Sequence, residues 1–356
     1  MKNLTTHERF KRVYAHQEGD RVPIVDHPWE STILRWQKEG LPAGKGWREH
    51  FDLDNVVAFG GDTSPRFERV VIEETDSYII ERDAWGITKK NFKPTTSTPL
   101  DMEFAIHDPD TWAQAKKRLT PTRDRMPWDW IKTAFPQWRK DGAWIVGSCW
   151  FGYDIVNARM VGTENVLYGM ADNPEWVKDM LDTLCDLGLE LMEMAWQEGY
   201  HFDELQWYDD MGYRNGMLFS KTMWREIVRP YQQRTIDWAH SHGIVAQMHS
   251  CGNIMEIVPE LVELGLDGLN PFEVKAGMDI LGTKRRFGDR LTMQGGFDVR
   301  NWESFEAAEA ELRAKLPELK KNGGYIFGSD HSIPHHVSFD TMSKIIALVK
   351  DIGSYR

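Results

Sequence analysis

The sequence predicts a single (β/α)₈ TIM barrel spanning residues 1–356, interrupted by a β-hairpin excursion at about residues 67–93. Three observations predict it. Eight short apolar or β-branched runs alternate with stretches of helical period, the pattern of an α/β fold with a parallel sheet. The chain is 356 residues long, more than one domain normally holds unless it is an α/β barrel. An open, doubly wound sheet is the competing layout, but no glycine-rich dinucleotide fingerprint follows the first run and no phosphate loop appears.

Taken in order, residues 6–16 carry Phe10, Val13 and Tyr14 at helical spacing, and Gly19-Asp20 ends the helix. Residues 21–27 then read as a first strand, 29–40 as a helix and 55–61 as a second strand. Between Phe67 and Lys93 two β-rich runs, Val70 to Glu74 and Ser77 to Arg82, indicate the hairpin, with 93–99 as a Pro- and Thr-rich connector. A helix at 127–140 leads into regular alternation. Strands are expected at 143–150, 204–210, 244–251, 268–273, 290–296 and 325–333, and helices at 176–198, 221–242, from 254, 279–287, 304–322 and 339–352.

A barrel gathers its strand ends around one mouth, so the polar residues at those ends are site candidates. They are His27, Asp62, Cys149, Asp209, Asp210, His249, Cys251, Glu273, Gln294, Asp298, Asp330 and His331. Each taken alone has a plainer reading as a helix cap or a solvated loop residue. Gln247-Met-His-Ser-Cys-Gly-Asn253 is the sharpest of them. Residues two apart on a strand face one side, so His249 and Cys251 present an imidazole and a thiol to one pocket, half of a metal site. Adjacent residues face opposite ways, so only one of Asp209 and Asp210 is expected in the mouth, as acid, base or holder of a substrate hydroxyl. Trp150, Phe151, Tyr153, Trp207 and Tyr208 are candidates for an aromatic wall or for core packing, in a chain that has 16 tryptophans.

The formal net charge of −12 argues against an electrostatic grip on nucleic acid or on an anionic membrane, leaving small molecules and proteins as partners. The amino terminus lacks the apolar stretch of a secretion signal, and no run approaches the ~20 apolar residues that span a bilayer. A cytoplasmic protein is expected. Three scattered cysteines, Cys149, Cys185 and Cys251, do not make a disulfide framework and fit a reducing compartment.

The carboxyl half also carries a family pattern. His249-Ser-Cys251-Gly-Asn253, the run from Ile257 to Leu269, Leu291-Thr-Met-Gln-Gly-Gly-Phe-Asp298 and Gly323-Gly-Tyr-Ile-Phe-Gly-Ser-Asp-His331-Ser-Ile-Pro334 resemble the uroporphyrinogen decarboxylase superfamily. Asp209-Asp-Met-Gly212, Ser220 and Arg229-Pro230 fit the same pattern, as, more loosely, do Thr6 to Phe10 and Asp20 to Pro23. The resemblance implies a barrel independently of the strand count. Its porphyrinogen-decarboxylating branch uses an arginine pair after the first strand, and here that stretch reads Asp26-His-Pro-Trp-Glu-Ser31. Without those cations a substrate with many carboxylates is poorly neutralised.

The other branch, the corrinoid-linked methyltransferases, is the closer likeness. It implies Zn²⁺ held by His249 and Cys251, with His331 standing where that branch has a further cysteine. Three ligands and an open position characterise catalytic zinc, and an imidazole in place of a thiolate leaves the metal a stronger Lewis acid. The resemblance thus implies methyl transfer between a small, O-methylated substrate and the cobalt of a corrinoid carried by a separate partner protein. No cobalamin-binding module is evident in the sequence. Glu273 is expected as a fourth ligand or as the partner orienting His249, and His27, Trp150, Tyr208 and Gln294 as substrate-pocket residues. The alternatives are a cofactor-free decarboxylase or lyase of a small acid, and a non-catalytic binding protein on the same fold.

Overall fold

The structure, a computed structural model, describes residues 3–93 and 99–355. Its centre is a parallel sheet of seven strands in chain order: β1 (Val56–Phe59), β2 (Trp144–Ser148), β3 (Glu204–Tyr208), β4 (Val245–His249), β5 (Gly268–Phe272), β6 (Thr292–Gly295) and β7 (Tyr325–Ile326). Consecutive strands pair throughout, with helices between them, so every crossover runs from one strand to its neighbour. Buried runs such as Trp144–Ser148 and Gly268–Phe272 are covered on both faces, as parallel strands are.

The expected first strand is reduced to a bridge. Residues 21–27 meet the sheet at the bridge of Ile24 with Phe327, where Val25 N–H donates to the Phe327 carbonyl (2.9 Å) and Phe327 N–H donates to that of Pro23 (2.8 Å), and farther along the His27 carbonyl accepts from Ile333 N–H (3.0 Å). On its other side Ile24 N–H donates to Asp54 Oδ2 (2.7 Å) and its carbonyl accepts from Asp54 N–H (3.2 Å), just before β1. The segment therefore bonds beside both edges of the sheet. Pro23 has no N–H to donate, and the N–H groups of His27 and Ser329 turn to the Asp26 carboxylate (2.9 Å each), so no continuous ladder runs along it.

The excursion is larger than a hairpin. Val70–Glu74, Tyr78–Arg82, Ile87–Phe92 and Leu100–Phe104 form a four-stranded antiparallel sheet. Its last strand, Leu-Asp-Met-Glu-Phe, carries the alternation of a half-exposed strand, but the Pro- and Thr-rich connector before it hides the pairing. Residues 94–98 of that connector lie outside the described residues.

The helices fall close to their predicted bounds, for example Glu30–Glu39, Trp128–Lys140, Pro174–Gln197, Phe305–Leu319 and Phe339–Ile352. Their starts follow ordinary capping: Ser304 and Ser338 accept from the third backbone N–H inside, and Thr5 with Glu8 forms a reciprocal capping box. The helix expected over 221–242 contains a wide π-type turn at Trp224–Val228, directly before Pro230, which lacks the N–H that would continue the ladder. A second wide turn, Ile155–Val161, and the helix Thr163–Asp172 were not legible in the hydrophobic pattern.

The amino-terminal helix Thr6–Tyr14 fixes which end of the sheet is open. Phe10 and Val13 pack with Val25, Trp144, Val146 and Ile326, and Tyr14 stacks on Trp144, so the amino ends of the strands are plugged. Buried Arg9 holds the plug through Asp20 (Nε to Oδ1, 2.8 Å) and Asp54, which Arg21 also meets at 2.7 Å. What remains accessible is the carboxyl end.

Candidate metal centre and cavity

At that end a cavity of about 400 Å³ runs down toward the plug. His27, Tyr208, Asp210, His249, Cys251, Gln294 and His331, all expected at the mouth, line it. Trp150, Asp209 and Glu273 do not line it. Trp150 stands 38 % exposed outside, its ring 5.4 Å from that of Tyr208 and covered by Arg159 at 4.2 Å. Tyr208 carries the aromatic wall inward, its ring 5.4 Å from that of His249.

His249 is the last residue of β4, and Cys251 follows on the same side. Cys251 Sγ lies 3.4 Å from His249 Nε2, and Asp210 Oδ1 lies 3.5 Å from that nitrogen. Donor atoms of Asp210, His249 and Cys251 all fall within 4.8 Å of one another, the one such trio among the described residues. Atoms about 3.5 Å apart match the edge of a tetrahedron with bonds of about 2.0–2.3 Å, and nitrogen, sulfur and oxygen donors suit zinc. The third member next to His249 and Cys251 is Asp210. His331 lines the same cavity but stands outside the trio.

Backbone geometry aims these groups. Cys251 N–H donates to Asp210 Oδ1 (2.7 Å), tying the turn after β4 to the end of β3. Gly252, at φ +77°, passes so close to Gly212 that a Cβ would lie 2.2 Å from its carbonyl carbon. Gly252 N–H donates to Glu273 Oε2 (2.6 Å), so Glu273 holds the turn instead of orienting His249. The partner of His249 is Asn270, whose Oδ1 lies 2.7 Å from Nδ1. A carbonyl oxygen only accepts, so Nδ1 carries a hydrogen, and in the neutral imidazole Nε2 is the nitrogen whose lone pair faces Cys251 and Asp210.

Burial, then Asp210 and Glu273, pushes the Cys251 thiol well above its ordinary value, so metal binding must displace its proton. Burial, followed by Lys275, lowers His331, and burial, followed by Arg48, lowers His27 to about 4; both imidazoles are neutral at neutral pH.

Asp209 belongs to the framework. It is fully buried, with Oδ1 accepting from Tyr153 N–H (2.6 Å) and the Tyr231 hydroxyl, and Oδ2 from Trp207 Nε1 (2.7 Å) and Gln232 Nε2 (2.8 Å). Asp330 is likewise buried, accepting from Val299 N–H (3.2 Å). Cys149 is buried against the Gly188 carbonyl, while Asp62 holds Ser64 and Arg66. Asp298 is paired with Arg300 at 2.6 Å.

Sequence reasoning missed Asn270, Gln247 and Asp154. The two amides sit inside apolar strand runs, where nothing in the pattern singles them out. Asp154 is raised to about 7 by burial and then by Asp210, which places a second carboxyl near the trio; it lies in the unpredicted turn after β2.

A curled parallel seven-stranded α/β sheet with its cavity at the strand carboxyl ends is similar to the (β/α) barrel architecture. A methyltransferase from Methanosarcina mazei superposes with a TM-score of 0.65 at 14% identity, covering 98% of this chain and 99% of that one. A B12-independent methionine synthase from Shewanella sp. W3-18-1 in complex with selenomethionine gives a TM-score of 0.38 at 10% identity, over 95% and 94% of the two chains. No curated protein sequence matches. The profile of the uroporphyrinogen decarboxylase (URO-D) family matches residues 155–352, more than half of the chain, and the chain belongs to that family.

Proposed function

We propose that this protein is a zinc-dependent methyltransferase that moves a methyl group between a small, O-methylated substrate and the cobalt of a corrinoid carried by a separate protein. The observation that carries the reading is the trio of Asp210, His249 and Cys251 beside a deep cavity. On this reading the three would hold the metal, His331 would meet the substrate, and residues 21–27 would act as the eighth stave of the barrel. Bound zinc supplies a Lewis acid that polarises the ether oxygen and eases departure of its methyl group.

The chain's own groups prepare that event. Asn270 keeps the lone pair of Nε2 on the site side, and the turn held by Asp210 and Glu273 sets the direction of Sγ. Tyr208 and His27 wall the reacting end, and the plugged amino end keeps bulk water from entering from below.

The decarboxylase reading is less well supported. No arginine or lysine lines the cavity among the described residues, while Asp26, Glu204 and Asp210 do. An acid substrate would enter without a cation to meet it. The reading is tested by adding reduced corrinoid protein and methoxylated compounds to the zinc-loaded enzyme and following the cobalt absorption. Carbon dioxide release from small acids without a cobalt change would favour decarboxylation, and binding without turnover a non-catalytic role.

A further inference from the structure

The hydrogen bond that orients His249 is the end of a longer chain. Asn270 Nδ2 donates to Gln247 Oε1 (2.7 Å), which also accepts from Gln206 Nε2 (2.9 Å). Gln247 Nε2 donates to the Tyr14 hydroxyl (2.9 Å), and that hydroxyl donates to Glu204 Oε2 (2.9 Å). Trp144 Nε1 donates to the same oxygen at 2.7 Å. The chain runs from the open end of the sheet to its plugged end through residues of β4, β5, β3, β2 and the helix Thr6–Tyr14.

Its direction is fixed at the plugged end. An indole N–H only donates, so Oε2 of Glu204 is an acceptor. Tyr14 has one hydroxyl hydrogen and spends it on that oxygen, so it offers a lone pair to Gln247. Gln247 therefore turns its NH₂ toward Tyr14 and its oxygen toward Gln206 and Asn270. Asn270 then has only its oxygen left for His249, and the imidazole must carry its hydrogen on Nδ1. Each amide orientation follows from the one before it, and reversing any link leaves two donors or two acceptors facing each other in a buried place, where an unsatisfied group is costly.

We propose that Glu204, Tyr14, Gln247 and Asn270 are positioning residues that form a one-way hydrogen-bond relay, which sets the tautomer of the neutral His249 from the opposite end of the barrel so that Nε2 is the nitrogen left to bind an electrophile. Glu204 is held near 7 by burial, but the relay keeps its direction when that group takes up a proton. A protonated Oε2 would be a poor acceptor for Trp144, so the proton goes to Oε1. The two Glu204 donors thus serve as a latch that pH does not open. The role of the tautomer in holding a metal rests on the proposed function; the tautomer itself does not.

The test is long-range ¹H–¹⁵N correlation on metal-free protein labelled with ¹⁵N-histidine, with the His249 signals identified by their loss in His249→Gln. The expected result, read at a pH where the imidazole is neutral, is a protonated Nδ1 and a pyridine-type Nε2. Tyr14→Phe, which cuts the relay in the middle, is expected to bring up the other tautomer and weaken Zn²⁺ binding a few-fold, while Asn270→Leu weakens it by about 10- to 100-fold. Glu204→Gln keeps an acceptor oxygen for Tyr14 and Trp144 and is expected to retain the wild-type tautomer, whereas Glu204→Leu is not. Circular dichroism on each variant confirms that it is folded. An Nε2-protonated wild type overturns the relay, as does a folded Tyr14→Phe and a folded Glu204→Leu with wild-type tautomer. Failure of wild-type protein to bind Zn²⁺ would count against the proposed function and leave the tautomer result standing.

Discussion

Asp209→Asn and Asp210→Asn are adjacent, isosteric changes with opposite expected outcomes. Asp209 accepts four hydrogen bonds with no solvent contact, two at each oxygen. An asparagine puts an NH₂ where one oxygen was, so two buried donors lose their acceptor and the new amide hydrogens have none. At about 1–3 kcal/mol for each unsatisfied group, less what is recovered because burial already disfavours the carboxylate, the net cost is about 3 kcal/mol. That is a large share of a typical stability of about 5–15 kcal/mol. Asp210 is partly exposed, and its single backbone bond from Cys251 can go to the oxygen that asparagine retains. Its replacement should cost less than about 1 kcal/mol in stability while weakening Zn²⁺ binding at least about tenfold. Urea unfolding and isothermal titration with Zn²⁺ on the two variants measure both quantities. An Asp209→Asn midpoint equal to wild type, or an Asp210→Asn variant that binds Zn²⁺ normally, would refute the division of labour between the two.

Three further outcomes are expected. Glu204 holds its proton in the folded chain up to about 7 but releases it near 4.5 when unfolded, so the folded state binds more protons in that window and stability falls as pH rises from about 4.5 to 7; Glu204→Gln should remove that slope in urea midpoints taken at pH 5 and 7.5. Gly252→Ala places a Cβ against Gly212 at a positive φ, so it should displace Cys251, lower stability by more than about 1 kcal/mol and weaken Zn²⁺ binding, measured on the same two instruments. Because no arginine or lysine lines the cavity among the described residues, and the charge of a bound Zn²⁺ would be offset by Asp210 and the Cys251 thiolate, uncharged methoxy compounds should be turned over in preference to matched carboxylates, and a kcat/KM ratio favouring the carboxylates would contradict the electrostatic reading.

Much of this was legible in the residues because periodicity carries direction. His249 and Cys251 share a side through the two-residue period of a strand, and both line the cavity. The same rule leaves Asp209 and Asp210 undecided, because β3 ends at Tyr208 and neither acid lies on it. What separates them is the set of buried donors around Asp209, contributed by Tyr153 and by Tyr231 and Gln232 of the helix Arg229–Ser241, far from Asp209 in sequence, which no local pattern announces. The role given to Glu273 passed to Asn270 for a similar reason: the pairing of β4 with β5 sets His249 opposite Asn270, and register between parallel strands is not written in either strand alone. The strand expected at 21–27 shows the reverse failing. Its composition is strand-like, but Pro23 lacks a donor and the Asp26 side chain takes the N–H groups of His27 and Ser329 that a ladder would use.

The central claim is that Asp210, His249 and Cys251 form a metal site, and elemental analysis tests it most directly. Protein loaded with Zn²⁺ and freed of excess should retain close to one zinc per chain, and His249→Ala, Cys251→Ser and Asp210→Asn should each lose it while Asp209→Asn keeps it. His331→Ala, measured alongside, should also keep it; its loss would make His331 the third ligand. Zinc that is absent from the wild type, or that survives both His249→Ala and Cys251→Ser, would contradict the account.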